Sequence, residues 1–315
     1  MKKWFTLIEI TIVVVVIWIL AASLLPKLTS GMAKAENAWA TKDVNDIVTA
    51  LEMYKMDNGN TYPVSVSCNW TIKTECTLSG VYTVLSTYLR SIPKWNTKLP
   101  QWTIGNGNIV PAWNAYGYIG TGQRYILSYW FTDTRDGQRY KAVRMPDERR
   151  WMAENLNFKT ANSVCYNDLQ ANCENDYGRL YDWNDAQTAC PQWWKVPSDD
   201  EWTTMLNKVE SVMWWTEDHA SKLGWGTYGV WMYAGKVLQT VTWWTIATDA
   251  FWFSVLLAGW WNAWYMYRDT QYGFFWSSTQ EGSTDARRRR FDRNWTLIFH
   301  LIIGKWIKMS VRCIQ

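Results

Sequence analysis

The sequence predicts an α+β protein, in which one long N-terminal helix is followed by a small β-sheet head and then by a second α+β domain. An apolar run near the N-terminus passes into an amphipathic repeat with helical spacing, which predicts the helix. Residues 60–128 place Gly and Asn turn signals between short apolar runs, a pattern typical of strands. Residues 131–315 combine capped helices with further short segments, which predicts a mixed domain.

The apolar run extends from Phe5 to Leu25, and Glu9 is its only charged residue. About 21 helical residues at 1.5 Å each reach roughly 30 Å, the thickness of a bilayer core. Lys2 and Lys3 precede the run and favour an N-terminus that stays in the cytoplasm. A carboxylate inside a membrane helix is costly and generally marks a function. Glu9 is therefore a candidate functional residue.

The helix is expected to continue beyond the apolar run. Apolar residues recur at helical spacing between Val44 and Tyr54, and a turn signal follows at Asp57-Asn58-Gly59-Asn60. A helix from Phe5 to Asp57 would be about 80 Å long.

The residues from Phe5, FTLIEITIVVVVIWILAASLLP, resemble the class III signal of type IV prepilins and pseudopilins. The resemblance implies that a prepilin peptidase cuts between Trp4 and Phe5 and that the new amino terminus is methylated. It also implies that Glu9 neutralises this amine on a neighbouring subunit, which agrees with the need to pair a buried carboxylate. The chain departs from the family at Trp4, where the family has glycine and a bulky indole should block cleavage.

The C-terminal region carries ordered motifs that include RRWMAENLNF, YGRLYDWNDAQTACPQWWKVPSDDEW and SVRC. Together they resemble the Fibrobacter succinogenes major paralogous domain family along residues 131–315, and this resemblance implies no defined reaction. Ser198 and Glu201 form a capping box in front of a helix. The motif order also resembles the C-type lectin-like and formylglycine-generating-enzyme fold, in which two helices flank an irregular sheet and the last strand pairs with the first.

These resemblances divide the chain into four regions. They are a leader (1–4), a transmembrane and amphipathic pilin helix (5–58), a pilin-like β head (59–130) and the Fibrobacter succinogenes major paralogous domain (131–315).

The six cysteines form an even set, which favours disulfides in an exported protein but allows many connectivities. Two pairs would close short loops, and a third would join the first helix of the C-terminal domain to its final strand. The expected pairs are Cys68 with Cys76, Cys165 with Cys173, and Cys190 with Cys313. Reduced, buried cysteines are the alternative.

No catalytic or cofactor pattern is present in the sequence. His219 follows two acidic residues in an expected loop, and His300 lies in an apolar strand-like stretch. The triplet Trp183-Asn184-Asp185 occurs in sugar-binding lectins, but here it falls inside an expected helix, where its carboxylate would not converge with others on calcium. The sequence therefore predicts neither an enzyme nor a cofactor site.

The strongest charge feature is the run Arg287, Arg288, Arg289 and Arg290 in an expected strand. Strand alternation would place the first and third arginines on one face and the second and fourth on the other. The plainer interpretation is a solvated strand, and the functional one is a patch for an anionic ligand such as a surface glycan or acidic polymer. The net charge of +4 disfavours a dedicated nucleic-acid binder.

Tryptophan is abnormally abundant, with 26 residues against 18 glycines. Trp4, Trp18, Trp193 and Trp252 occupy positions where the two resembled families have glycine, whereas others, such as Trp202, match family tryptophans. We hypothesise that the codon UGA is read as glycine in the source bacterium and has been translated as tryptophan. A genuinely tryptophan-rich binding surface is the alternative.

The sequence thus predicts a type IV pilin-like or pseudopilin filament subunit that displays a ligand-binding or adhesion domain on the cell surface. Its expected partners are other pilin subunits, the prepilin peptidase, the membrane, and a surface glycan or anionic polymer. Two alternatives are a structural pseudopilin of a secretion or DNA-uptake machine and a membrane-anchored surface protein that never assembles.

Overall fold

The computed structural model describes the residues 7–64, 84–89, 117–120, 125–213, 230–231, 238, 253–256, 260–261, 266–267, 272–292 and 298–315. Trp4, Phe5, Cys68 and Cys76 lie outside these ranges, as do His219 and Trp252. Helices and antiparallel sheets are both present, so the predicted α+β class is confirmed.

Helix α1 extends over 51 residues, Leu7–Asp57, and includes the position of Glu9. It ends where the sequence predicts, because Gly59 and Asn60 both take a positive φ of 63° and turn the chain away. The amide of Asn60 donates to the carbonyl of Lys55 at 3.0 Å and closes the last turn. Among the residues that the structure describes, no helix is both long enough and apolar enough to cross a membrane.

The second half of α1 packs against a four-stranded antiparallel sheet with the strand order β1-β2-β3-β4. The strands are β1 (Gly117–Gly120), β2 (Tyr125–Thr132), β3 (Arg139–Arg144) and β4 (Arg150–Met152). The predicted apolar stripe of the helix supplies the buried side chains of Val44, Ile47 and Leu51. The domain boundary expected between residues 130 and 131 falls inside β2, so the head and the C-terminal region share this sheet.

The rest of the C-terminal region contains short helices and a second antiparallel sheet, with the order β10-β11-β12-β7. The described elements of this part of the chain, in order, are β5 (Val164–Cys165), α2 (Gln170–Asn172), β6 (Arg179–Leu180), α3 (Trp183–Ala189), α4 (Asp199–Met213), β7 (Val230–Trp231), β8 (Trp260–Trp261), β9 (Met266–Tyr267), β10 (Tyr272–Glu281), β11 (Asp285–Asp292) and β12 (Ile298–Gly304). Two further turns, Tyr166–Asp168 and Cys173–Tyr177, connect β5 to β6.

The capping box predicted at the start of α4 is present. The hydroxyl of Ser198 accepts from the amide of Glu201 at 3.1 Å, and the Glu201 carboxylate accepts from the amide of Ser198 at 2.8 Å. Trp202, in the first turn of α4, is completely buried and packs on Trp151 with ring centroids 4.8 Å apart. The cap therefore fixes the helix so that its apolar face covers one side of the second sheet.

The C-terminal segment closes the domain by returning to its beginning. The amide of Met152 donates to the carbonyl of Cys313 at 3.0 Å, and Ile314 bridges to both Trp151 and Lys195. A disulfide joins Cys190, just after α3, to Cys313, and a second joins Cys165 to Cys173. Both pairings agree with those expected from the sequence.

Candidate functional site

The N-terminal part of α1 exposes an apolar surface on every side. All ten residues from Thr11 to Leu20 are exposed, and the large apolar side chains among them expose between 45% (Val14) and 72% (Trp18) of their surface. A contiguous apolar surface of this kind marks a site of contact with protein or membrane. This segment needs a partner or lipid to remove its side chains from water.

The C-terminal part of α1 is docked on the first sheet through polar contacts. The amide side chain of Asn37 donates to the carbonyl of Thr132 at 2.7 Å and accepts from its backbone amide at 2.8 Å. Arg150 donates to the side-chain oxygen of Asn45 at 2.6 Å. These bonds join residues 95 and 105 positions apart, and together with the shared core they hold the C-terminal region directly on the helix.

The arginine run lies on β11, and its side chains alternate between the faces of the sheet as predicted. Arg289 is completely buried and pairs with the carboxylate of Asp199 at the start of α4. Arg287 donates to the same carboxylate at 3.2 Å and to Glu281 at 2.7 Å. Arg287 and Arg289 are thus engaged by carboxylates of the domain itself.

The other two arginines lie over aromatic rings on the opposite face. The guanidinium carbon of Arg288 is 4.6 Å from the ring centroid of Phe274, and that of Arg290 is 4.3 Å from the centroid of Phe299. Burial and the neighbouring Arg290 charge lower the pKa of Arg288 to about 10. Cation–π contacts of this kind contribute about 0.5–2 kcal/mol. Arg288 and Arg290 are half-buried, and the Nε atom of each is buried without a hydrogen-bond partner among the described residues.

His300 belongs to a cluster around Asp199 that also contains Arg287 and Arg289, called the Asp199 cluster below. Its Nε2 lies 3.5 Å from the Asp199 carboxylate, opposite Arg289 in the register of β11 and β12. Burial lowers the pKa of His300, and the charge of Asp199 opposes that shift. Within the described parts of the chain, no three His, Cys, Asp or Glu side chains are grouped to hold a metal ion.

In the triplet Trp183-Asn184-Asp185 at the start of α3, the carboxylate of Asp185 makes structural hydrogen bonds. Asp185 lies inside this helix, as the sequence analysis expects. Its carboxylate accepts from the hydroxyl of Thr160 at 2.6 Å and from the amide of Asn162 at 3.3 Å. These bonds tie the loop before β5 to the helix.

The C-terminal region matches a known protein family. Residues 143–315, more than half of the chain, match the model described as the Fibrobacter succinogenes major domain. The chain belongs to this family. The Asp199 cluster, both described disulfides and the returning C-terminal segment all lie within the Fibrobacter succinogenes major domain.

The chain is also similar to proteins of secretion systems and pili. It is 40% identical over 62 residues to a type II secretion system core protein G of Pectobacterium carotovorum, covering 20% of this chain and 39% of that protein. It is 47% identical over 58 residues to a type IV wide pilus major component of Thermus thermophilus, covering 18% of this chain and 44% of that protein. The chain thus spans less than half the length of these curated relatives. No solved structure matches.

Sequence reasoning found the arginine run but missed its internal partner. Asp199 follows the capping serine directly and was visible as an acid in the first turn of a helix. It is 90 positions from Arg289, so the sequence pattern alone gave no sign that the two side chains meet.

Proposed function

We propose that this chain is a type IV pilin-like or pseudopilin filament subunit that displays its Fibrobacter succinogenes major domain outside the cell. The observation that carries the proposal is the division of α1 into an exposed apolar half and a docked half. The similarity to secretion and pilus components supports it. The exposed half would pack among neighbouring subunits, and the docked half would fix the domain to the filament.

The proposal includes anchoring and processing at the N-terminus. Residues 5–25 would hold the newly made protein in the membrane until a prepilin peptidase cuts between Trp4 and Phe5. The amine of Phe5 would then be methylated and would pair with Glu9 of a neighbouring subunit. A carboxylate in an apolar filament core is stable only with such a partner.

Substitutions at Glu9 test filament assembly. Glu9→Gln keeps the size of the side chain and removes its charge, so it should abolish incorporation while leaving the amount of membrane-bound protein unchanged. Glu9→Asp keeps the charge and should retain part of the incorporation. Sheared filaments and membranes are compared by immunoblot. Normal incorporation of Glu9→Gln would favour the alternative of an anchored surface protein that does not assemble.

We further propose that the displayed domain binds a surface ligand, either a glycan or an anionic polymer. The lectin-like interpretation is supported by the two helices α3 and α4 and by the return of the C-terminal segment to β4. Arg288 and Arg290 are the proposed contacts for an anion. The alternative is a structural pseudopilin of a secretion or DNA-uptake machine, for which intact filaments should bind none of these ligands in a pull-down assay.

The recoding of UGA as glycine is also proposed for this protein. Trp193 takes a positive φ of 73° and is 80% exposed, whereas Trp151, Trp202 and Trp276 are completely buried with negative φ. The left-handed conformation costs a non-glycine residue roughly 1–2 kcal/mol, so glycine suits position 193 better. Trp306 is 60% exposed without positive φ and serves as a matched control.

Two measurements test the recoding. Mass spectrometry of the protein from its own bacterium should find glycine at position 193 and tryptophan at position 202. The gene should encode the first with UGA and the second with UGG. In a recombinant chain, Trp193→Gly should raise the stability by about 1 kcal/mol, and Trp306→Gly should not. Tryptophan at position 193 in the native protein would refute the idea and leave cleavage after Trp4 in doubt.

A further inference from the structure

A groove of about 530 Å³ lies where α1, the first sheet and the loop after α3 meet. Its size falls within the range of about 300–1,000 Å³ that is usual for small-ligand sites. One stripe of α1 forms a wall, β2 forms the floor, and the loop forms the other wall. Lys34 and Ala38 line it from α1, Tyr129 and Phe131 from β2, and Gln192 and Trp194 from the loop.

Tyr129 of β2 closes the floor of the groove. Only 2% of its surface is exposed, its hydroxyl oxygen is buried, and the Arg150 guanidinium lies beside it. A ligand in the groove would therefore lie over this residue without reaching its hydroxyl.

The remaining lining combines flat aromatic surface with neutral polar groups. Trp194 stacks on Phe131 with ring centroids 4.4 Å apart, and this surface does not depend on the identity of residue 193. The side chains of Thr41, Thr134 and Gln192 make no hydrogen bond within the described structure, so they are available to a ligand. No acidic side chain is among the described lining residues, and Lys34 supplies one positive charge.

We propose that this groove binds a short saccharide, either neutral or acidic. Sugar rings present an apolar face that packs on aromatic side chains and a rim of hydroxyl groups that bond to amides and hydroxyls. A purely apolar ligand would leave the threonine and glutamine groups unsatisfied, and a cationic ligand would meet Lys34. The inference rests on the proposed display of the domain outside the cell and gives its ligand site.

Two alanines of α1 provide a matched test. Ala38 lines the groove, whereas Ala35 is exposed on the same helix and does not line it. The full chain, purified in a zwitterionic detergent without a sugar headgroup, is screened against an array of neutral and acidic oligosaccharides. The tightest binder is then titrated by calorimetry. Ala38→Phe should fill the groove and weaken binding at least about tenfold, a loss of about 1.4 kcal/mol, while Ala35→Phe should leave the affinity unchanged.

Filament incorporation of both variants is measured in parallel. Binding that is equal in Ala38→Phe and Ala35→Phe, or no binding to any saccharide, overturns the inference. Normal filaments with no saccharide binding refute the groove but not the filament subunit. If Ala38→Phe prevents incorporation and no saccharide binds, the occupant is a neighbouring subunit, which also overturns the inference. A thermal melt of Ala38→Phe that matches the unmodified chain shows that lost binding is not lost folding.

Discussion

Removing the carboxylate of Asp199 should strongly destabilise the C-terminal domain. Arg289 has no exposed surface, and Asp199 both pairs with its guanidinium through the side chain and accepts from it through the backbone carbonyl at 2.9 Å. In Asp199→Ala the backbone acceptor remains, but the buried charge of Arg289 loses this counter-charge. Breaking a buried pair in this way costs about 3–5 kcal/mol.

This loss can be measured as a shift in the melting temperature of the detergent-solubilised full chain. For a domain of this size, 3–5 kcal/mol corresponds to roughly 6–20 °C. Trp202 in α4 is buried beside the cluster, so the tryptophan fluorescence should report the transition. Asp200 is the matched control, because it is the next residue in the same helix turn but is exposed. Asp200→Ala should cost less than about 1 kcal/mol.

A second substitution separates lost charge pairing from lost packing. Adding Arg289→Met to Asp199→Ala removes the uncompensated buried charge, so part of the lost stability should return. Equal stabilities for Asp199→Ala and Asp200→Ala would refute the reasoning, since Arg289 would then not depend on this carboxylate. No recovery in the double variant would show that the loss arises from the helix terminus instead.

The other predictions concern pH, a disulfide and a backbone position. Burial lowers the pKa of His300 below its ordinary value of 6.5, so the unfolded chain binds the proton more readily; the stability should fall as the pH drops from above 6.5 through the lowered pKa. Replacing both Cys190 and Cys313 with Ala opens a link with a sequence separation of 123 and should cost about 4–5 kcal/mol in chemical denaturation. Gly178→Ala should cost at least ~2 kcal/mol, because φ is +67° and a Cβ atom would lie 2.7 Å from the carbonyl oxygen of Leu156.

Each of these three predictions has a control. His300→Gln should remove the part of the pH dependence that arises from this residue, and an unchanged profile would contradict the assignment. Adding reductant to the unmodified chain also opens the Cys165–Cys173 disulfide, so it should lower the stability at least as much as the double substitution. Gly137 also has a positive φ, +78°, but nothing lies within 4 Å of a Cβ atom there. Gly137→Ala should therefore cost less than Gly178→Ala, and equal costs would show that the close approach to Leu156 does not matter.

Local patterns were sufficient to predict the elements that depend on near neighbours. The end of α1 follows from Gly59 and Asn60, and the start of α4 follows from the capping box of Ser198 and Glu201. The alternation of the arginines follows from strand geometry alone. In each case the physical cause acts within a few residues, so the sequence carries it directly.

Contacts between distant residues could not be predicted in the same way. The reciprocal bonds between Asn37 and Thr132 join a helix to a strand 95 residues away, and they depend on how the two elements pack. The pairing of β2 with β3 could not be predicted either. The motif pattern changes near residue 131, which suggested a domain boundary at a position that lies inside β2. Asp199 lies directly after the capping serine, but its role depends on a strand that follows much later in the chain.

The shared sheet and the Cys190–Cys313 link have a mechanical consequence when the C-terminal domain is pulled away from α1. Tension would pass from the domain into α1 through β2 and β3, which are paired from Leu127 to Thr132 and would have to slide past each other. The disulfide removes a stretch with a sequence separation of 123 from the extensible part of the chain. That stretch could otherwise lengthen by roughly 400 Å when fully extended. Single-molecule stretching should therefore release this length only after reduction, which makes the oxidised subunit a short and stiff tether.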